Sequence, residues 1–89
     1  LVERTLSGTY TNTRITSLGN NFALARLTNL TEVNLPNVTN LHGYDFDASG
    51  IVTIHLPKIT TISSYSFRKC NKLKTIDCPN VTLVKEGAF

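Results

Sequence analysis

The stretch Leu30-Thr31-Glu32-Val33-Asn34-Leu35-Pro36-Asn37-Val38-Thr39-Asn40-Leu41 is written three times in this chain, with substitutions. Its Leu35-Pro36 is answered by Leu56-Pro57 and Cys78-Pro79, at spacings of 21 and 22 residues. Two residues before each Leu or Cys stands a β-branched apolar residue: Val33, Ile54, Ile76. Leu30, Ile51 and Leu73 lie three residues earlier still. Val38, Ile59 and Val81 follow the prolines, and then Leu41, Ile62 and Val84. Five residues on comes a phenylalanine each time: Phe46, Phe67, Phe89. Leu27, Ala48 and Cys70 form a further column. Towards the N-terminus, Tyr10, Ile15, Leu18 and Phe22 read as a degenerate copy without the proline.

Agreement at so many positions of one period marks stacked repeats, in which a thin unit buries its apolar face only against its neighbours. Glu32-Val33-Asn34-Leu35 alternates out and in, the period of a strand. Proline ends that strand because it has no N–H to give an interior ladder. Short strands are therefore predicted near 31–35, 52–56 and 74–78, side by side and parallel, with right-handed connections. The threonine-rich segment after each proline reads as a second extended piece. Tyr44–Ala48 and Tyr65–Lys69 suit a single helical turn whose Phe fills the core. Gly50 and Asn71 turn the chain back. The reading is a mostly β solenoid of about 3–4 repeats of 21–23 residues. It forms one domain over 1–89: a lead-in at 1–13, repeats at 14–35, 36–56 and 57–78, and a partial repeat at 79–89.

Composition agrees. The 89 residues include 13 Thr and 9 Asn, which favour strands and turns over long helices. Charged residues make 17% and the mean hydropathy is -0.04, so the chain fits neither a disordered tail nor a membrane span. No basic-then-apolar leader opens it, and it has no Met, so it is expected to be a mature product or an excerpt. The pattern stops at Phe89, which predicts that the parent chain continues or that Phe89 acts as a cap. The net charge of +3 is mildly basic. Arg68, Lys69, Lys72 and Lys74 cluster and read as a solvated rim. Nucleic acid is not the expected partner, because aromatics do not interleave with these charges.

The run Leu73-x-x-Ile76-x-Cys78-Pro79-x-Val81-x-x-Val84, followed by Ala88-Phe89, resembles the BspA-type (Treponema pallidum-type) leucine-rich repeat. So does Phe67-x-x-Cys70-x-x-Leu73-x-x-Ile76. The likeness covers about residues 14–89, and 1–8 are similar to a segment preceding such repeats in Gram-positive gut bacteria and their prophages. It departs from the consensus where Asp45 and Ser66 stand in place of the Ala before Phe, and where Cys occurs at its site only as Cys70. The resemblance implies a leucine-rich-repeat solenoid on a cell surface, outside the cell, or on a phage virion. It implies adhesion to a protein or glycan of a host or neighbouring cell, with no catalytic residues.

The candidate binding face is the outward side of the strands. It comprises the columns Glu32, Thr53, Thr75 and Asn34, His55, Asp77, with Arg14, Asn37, Lys58 and Asn80 along the proline edge. The competing reading is a polar ladder that only solvates the sheet. Neither histidine, His42 or His55, has a partner at ligand spacing, and no nucleophile is paired with the His55–Asp77 column, so no enzyme is predicted. Asp45-x-Asp47-x-Ser49-Gly50 opens like a calcium loop, but position twelve is Leu56 where a bidentate acid is needed. The two acids read instead as a solvated convex turn, with Asp45 or Asp47 interacting with a neighbouring Arg68 or Lys69 at small gain. Cys70 and Cys78 sit at apolar positions and read as free buried thiols. The sequons at Asn29, Asn37 and Asn80 carry no meaning in a bacterial or phage protein. No metal, cofactor or membrane insertion is expected. Self-association through the solenoid ends is expected, and the rival function is a structural spacer or assembly module of a larger surface or tail protein.

Overall fold

The computed structural model describes residues 6–19 and 22–89. Six short strands follow in order: β1 (Gly8–Thr11), β2 (Leu30–Asn34), β3 (Thr53–His55), β4 (Thr61–Ile62), β5 (Thr75–Asp77) and β6 (Leu83–Val84). One parallel sheet has the order β1-β2-β3-β5, and β4 pairs with β6 in a second. The register aligns Tyr10, Val33, Ile54 and Ile76, one residue per coil. An isolated parallel bridge from Ser17 to Asn40 extends the second ladder toward the N-terminus. The predicted strands, their parallel pairing and the second extended piece are all present, as a leucine-rich-repeat solenoid. The first sheet gains β1 from the lead-in.

The alternation places Val33, Leu35, Ile54 and Leu56 in the core, together with Leu30, Val38, Ile51, Ile59 and Ile62. Phe46 and Phe67 are buried and stack at 5.2 Å, and Phe89 stacks on Phe67 at 5.4 Å. Asn12 stands where Leu35, Leu56 and Cys78 stand in later coils. Its Oδ1 accepts from the N–H groups of Arg14 and Ile15, making with a side chain the corner that proline makes elsewhere.

Three expectations are corrected. The Phe segments are not helical turns. Tyr44 and Ala48 have φ of 56° and 58°, and Tyr65 and Lys69 have φ of 59° and 60°, so left-handed residues bracket each turn. The physical reason is that Phe46 and Ala48 donate their N–H groups to Ser66 and Arg68 of the next coil, at 2.8 Å each. Amides committed across coils cannot close a helix. Phe22 is not the N-terminal member of the Phe column. Leu24 takes that place, donating to Asp45 O as Phe46 does to Ser66 O, while Phe22 is 45% exposed and stacks on Tyr44.

The third core column likewise reads Leu27, Ser49 and Cys70 rather than Leu27, Ala48 and Cys70. Ser49 Oγ lies 3.7 Å from Cys70 Sγ, and the Cys70 thiol donates to Phe46 O at 3.0 Å. Gly50 closes this corner because no side chain fits. A Cβ there would lie 2.2 Å from Thr28 O.

Candidate functional site

Parallel pairing puts Glu32, Thr53 and Thr75 in one row and Asn34, His55 and Asp77 in the next. All six predicted strand residues are partly or fully exposed on the outer face, because their neighbours in sequence fill the core. The rows are linked through His55. Its Nδ1 lies 3.2 Å from Asp77 Oδ2 and its Nε2 lies 3.5 Å from Glu32 Oε2, so one imidazole bridges strands β2 and β5. Asn34 Nδ2 donates to Thr11 Oγ1 at 3.0 Å, joining β1 to the same array.

The proline edge is also tied together. Lys58 Nζ donates to Asn37 Oδ1 at 2.9 Å, and Asn37 Nδ2 donates to Thr13 O at 2.7 Å. Asn80 Nδ2 donates to Pro57 O at 2.6 Å. Arg14 is exposed and enters this edge through its backbone N–H, not its side chain. The face is therefore a held polar array. Its bonds run from coil to coil, and each also restricts a side chain that a ligand would otherwise have to order.

The acids at 45 and 47 are not a solvated turn, which corrects the sequence reading. Asp45 is buried and accepts from the backbone N–H groups of His42 and Gly43. Burial pushes its carboxyl above the usual carboxylate range, against the pull of those donors. Asp47 is 2% exposed and is gripped by Arg68, with Nε to Oδ1 at 3.0 Å and Nη2 to Oδ2 at 3.2 Å. The Arg68 guanidinium lowers its pKa. Both carboxylates are thus engaged within the protein, Asp45 by backbone amides and Asp47 by Arg68. Among the described residues, no group of three His, Cys, Asp or Glu side chains could hold a metal.

Cys70 and Cys78 are free, as expected, but half-buried. Burial raises both thiols, so neither is an activated nucleophile.

Sequence reasoning missed one contact. Ser17 Oγ and His42 Nε2 lie 2.9 Å apart, although 25 residues separate them. The nearby Asp45 accepts from the His42 backbone rather than its ring, so the third group that orients a catalytic histidine is not supplied. The contact follows from the Ser17–Asn40 bridge, which the missing proline in the first coil hid from the sequence. A shallow groove of about 310 Å³ on the second ladder, between Thr39, Thr60, Thr61, Ser63, Leu83 and Lys85, was also not anticipated.

Nothing matches the chain significantly among curated proteins or solved structures. The family model for the BspA type leucine rich repeat region, of six copies, matches residues 5–89. Repeats of this type form protein-interaction modules of a non-catalytic, scaffolding kind and are typical of surface-associated bacterial proteins. No described helix is long and apolar enough to cross a membrane. With the repeat register, the stacked parallel strands and this match in agreement, the chain belongs to the BspA-type leucine-rich repeat family.

Proposed function

We propose that the outer face of β1-β2-β3-β5 is a non-catalytic binding surface for a protein or glycan, used in surface adhesion or host attachment. The observation that carries this reading is the His55 bridge between Glu32 and Asp77, flanked by Asn34, Thr53, Thr75 and Lys58. It is a rigid polar array on a flat sheet, with strands about 4.8 Å apart. Rigid presentation lowers the ordering cost of binding. No large aromatic anchors the face, so affinity per copy is modest and multivalent display adds to it. The triple variant Asn34→Ala, His55→Ala, Asp77→Ala should fold normally and lose roughly tenfold in adherence to target cells, the scale of about 1.4 kcal/mol. Unchanged adherence sinks this assignment.

A second reading, an assembly module, is favoured by a separate observation. Leu83 and Val84 are 52% exposed and Phe89 is 61% exposed, all in the last coil. Sedimentation separates the two readings. A monomer that adheres supports the first, and a chain that self-associates without adhering supports the second.

A further inference from the structure

The turn edge of the solenoid presents exposed cations, whereas the strand face is mixed in charge, with Glu32 and Asp77 beside His55 and Lys58. Arg26 and Lys69 occupy one column two coils apart, hence roughly 10 Å from each other. Arg68 and Lys72 flank Lys69 in sequence. The one carboxylate among them, Asp47, lies within the electrostatic reach of Arg68, Lys69 and Arg26 and is already paired to Arg68. Arg26, Lys69 and Lys72 make no ion pair or side-chain hydrogen bond with another described residue and are exposed. The nearest exposed acid along this edge is Glu86. It stands in the column of Gly43 and Ser64, on the far side of the Tyr44–Tyr65 stack.

Beside these cations is a small cleft of about 160 Å³ lined by Thr28, Ala48, Ser49, Gly50, Lys69, Asn71 and Lys72. Its walls combine hydroxyls, an amide and two ammonium groups with apolar surface from Ala48 and the aliphatic stems. The Gly50 corner keeps its floor free of any side chain.

We infer that this edge binds an anionic polysaccharide, its sulfate or carboxylate groups meeting Arg26, Lys69 and Lys72 and its hydroxyls meeting Thr28 and Asn71. Two observations select this partner among polyanions. A single-stranded nucleic acid needs open aromatic faces for its bases. Tyr44 is stacked between Phe22 and Tyr65 at 4.9 and 5.1 Å, with Arg68 5.3 Å from its centroid, and Gly87 lies against Tyr65, so the half-exposed Phe22 keeps the one open face of this stack and successive bases find no platform. An acidic protein needs a buried apolar anchor. At about 160 Å³ the cleft, whose apolar surface is the Ala48 methyl and aliphatic stems, seats no large side chain, while its hydroxyls and amide suit a polyhydroxylated chain.

The experiment titrates the 89-residue chain with size-defined heparin oligosaccharides across a salt series. Saturable binding that weakens steeply with salt is expected, since the contact is ionic. The variant Arg26→Ala, Lys69→Ala, Lys72→Ala should bind at least about tenfold more weakly at low salt. Its far-UV circular dichroism should match the parent, as these side chains are exposed. Thr28→Val with Asn71→Leu keeps every charge and should weaken binding about threefold, whereas pure charge attraction leaves it unchanged. The strand-face variant Asn34→Ala, His55→Ala, Asp77→Ala should bind heparin as well as the parent, so this inference and the proposed function fail separately. Equal or tighter binding of a polyglutamate or single-stranded DNA of matched charge overturns the inference. So does a triple cation variant that binds like the parent.

Discussion

Ala48 sits at φ 58° in a turn where a side chain gains little. Left-handed backbone costs a non-glycine residue about 1 kcal/mol. Ala48→Gly is therefore expected to stabilise the chain by about that amount, read as a higher midpoint in thermal or urea unfolding. Two residues on, the reverse holds. Gly50→Ala would drive a methyl into the Thr28 backbone and should cost about 2–3 kcal/mol by the same measurement.

Asp47 gives a pH prediction. Its folded pKa is depressed by Arg68, so its contribution is complete above about pH 4 and is lost as pH falls through the folded value. Asp47→Asn should melt below the parent at neutral pH, and the gap should narrow in acid. A gap that stays constant down to pH 2 means that the pair is not the source. Asp45 acts in the opposite sense. Its raised value makes its charging unfavourable as pH climbs from the ordinary carboxylate range through the folded value. The pairing of one of these acids with Arg68 or Lys69 was legible in the sequence, but their burial was not, since both read as solvent-facing. Their burial depends on which amides the turn leaves for Asp45, and on Arg68 reaching back one coil.

At the level of elements, the strands were the most legible part because each states its direction twice, by alternation and by the proline that stops it. Val33, Ile54 and Ile76 fell in register without adjustment. The turns were less legible. Their hydrogen bonds go to the neighbouring coil, so the local pattern looks helical while the amides are spent elsewhere. The first coil was misread at Phe22 because the chain between Leu18 and Leu24 differs in length from its counterparts, and an aromatic one column out of place looked like the core aromatic. Mutation separates the two. Phe67→Ala should cost about 3–5 kcal/mol, the toll of deleting a buried ring between two stacked neighbours. Phe22→Ala, at an exposed ring, should cost about 1 kcal/mol or less. Equal melting temperatures for the two variants would contradict the column assignment. The outward rows of the candidate face could be read from alternation alone. The His55 bridge to both Glu32 and Asp77 could not, because it depends on side-chain reach across strands.

Across the whole molecule, burial is graded. In the first sheet Ile54 is fully buried and Ile76 one coil later is half-buried; in the second, Ile62 is buried and Val84 one coil later is exposed. In a stack where each coil leans only on its neighbours, protection should follow that gradient. Amide hydrogen exchange is expected to be slowest in β2 and β3 and fastest around Leu83–Val84. The turn face adds a sense of direction. Most of its inter-coil backbone bonds run one way, from the N–H of Leu24, Arg26, Tyr44, Phe46, Ala48 and Phe67 to carbonyls of the following coil, while the Gly50 corner donates back to Leu27 O. The face is thus a row of mostly one-way couplings. Apart from the Gly50 corner, its amides are offered to the coil that follows and its carbonyls to the coil that precedes. Two such faces brought together donor side to donor side would leave N–H opposed to N–H. Head-to-tail contact satisfies both, so this edge of the backbone carries an arrow that favours stacking in one orientation.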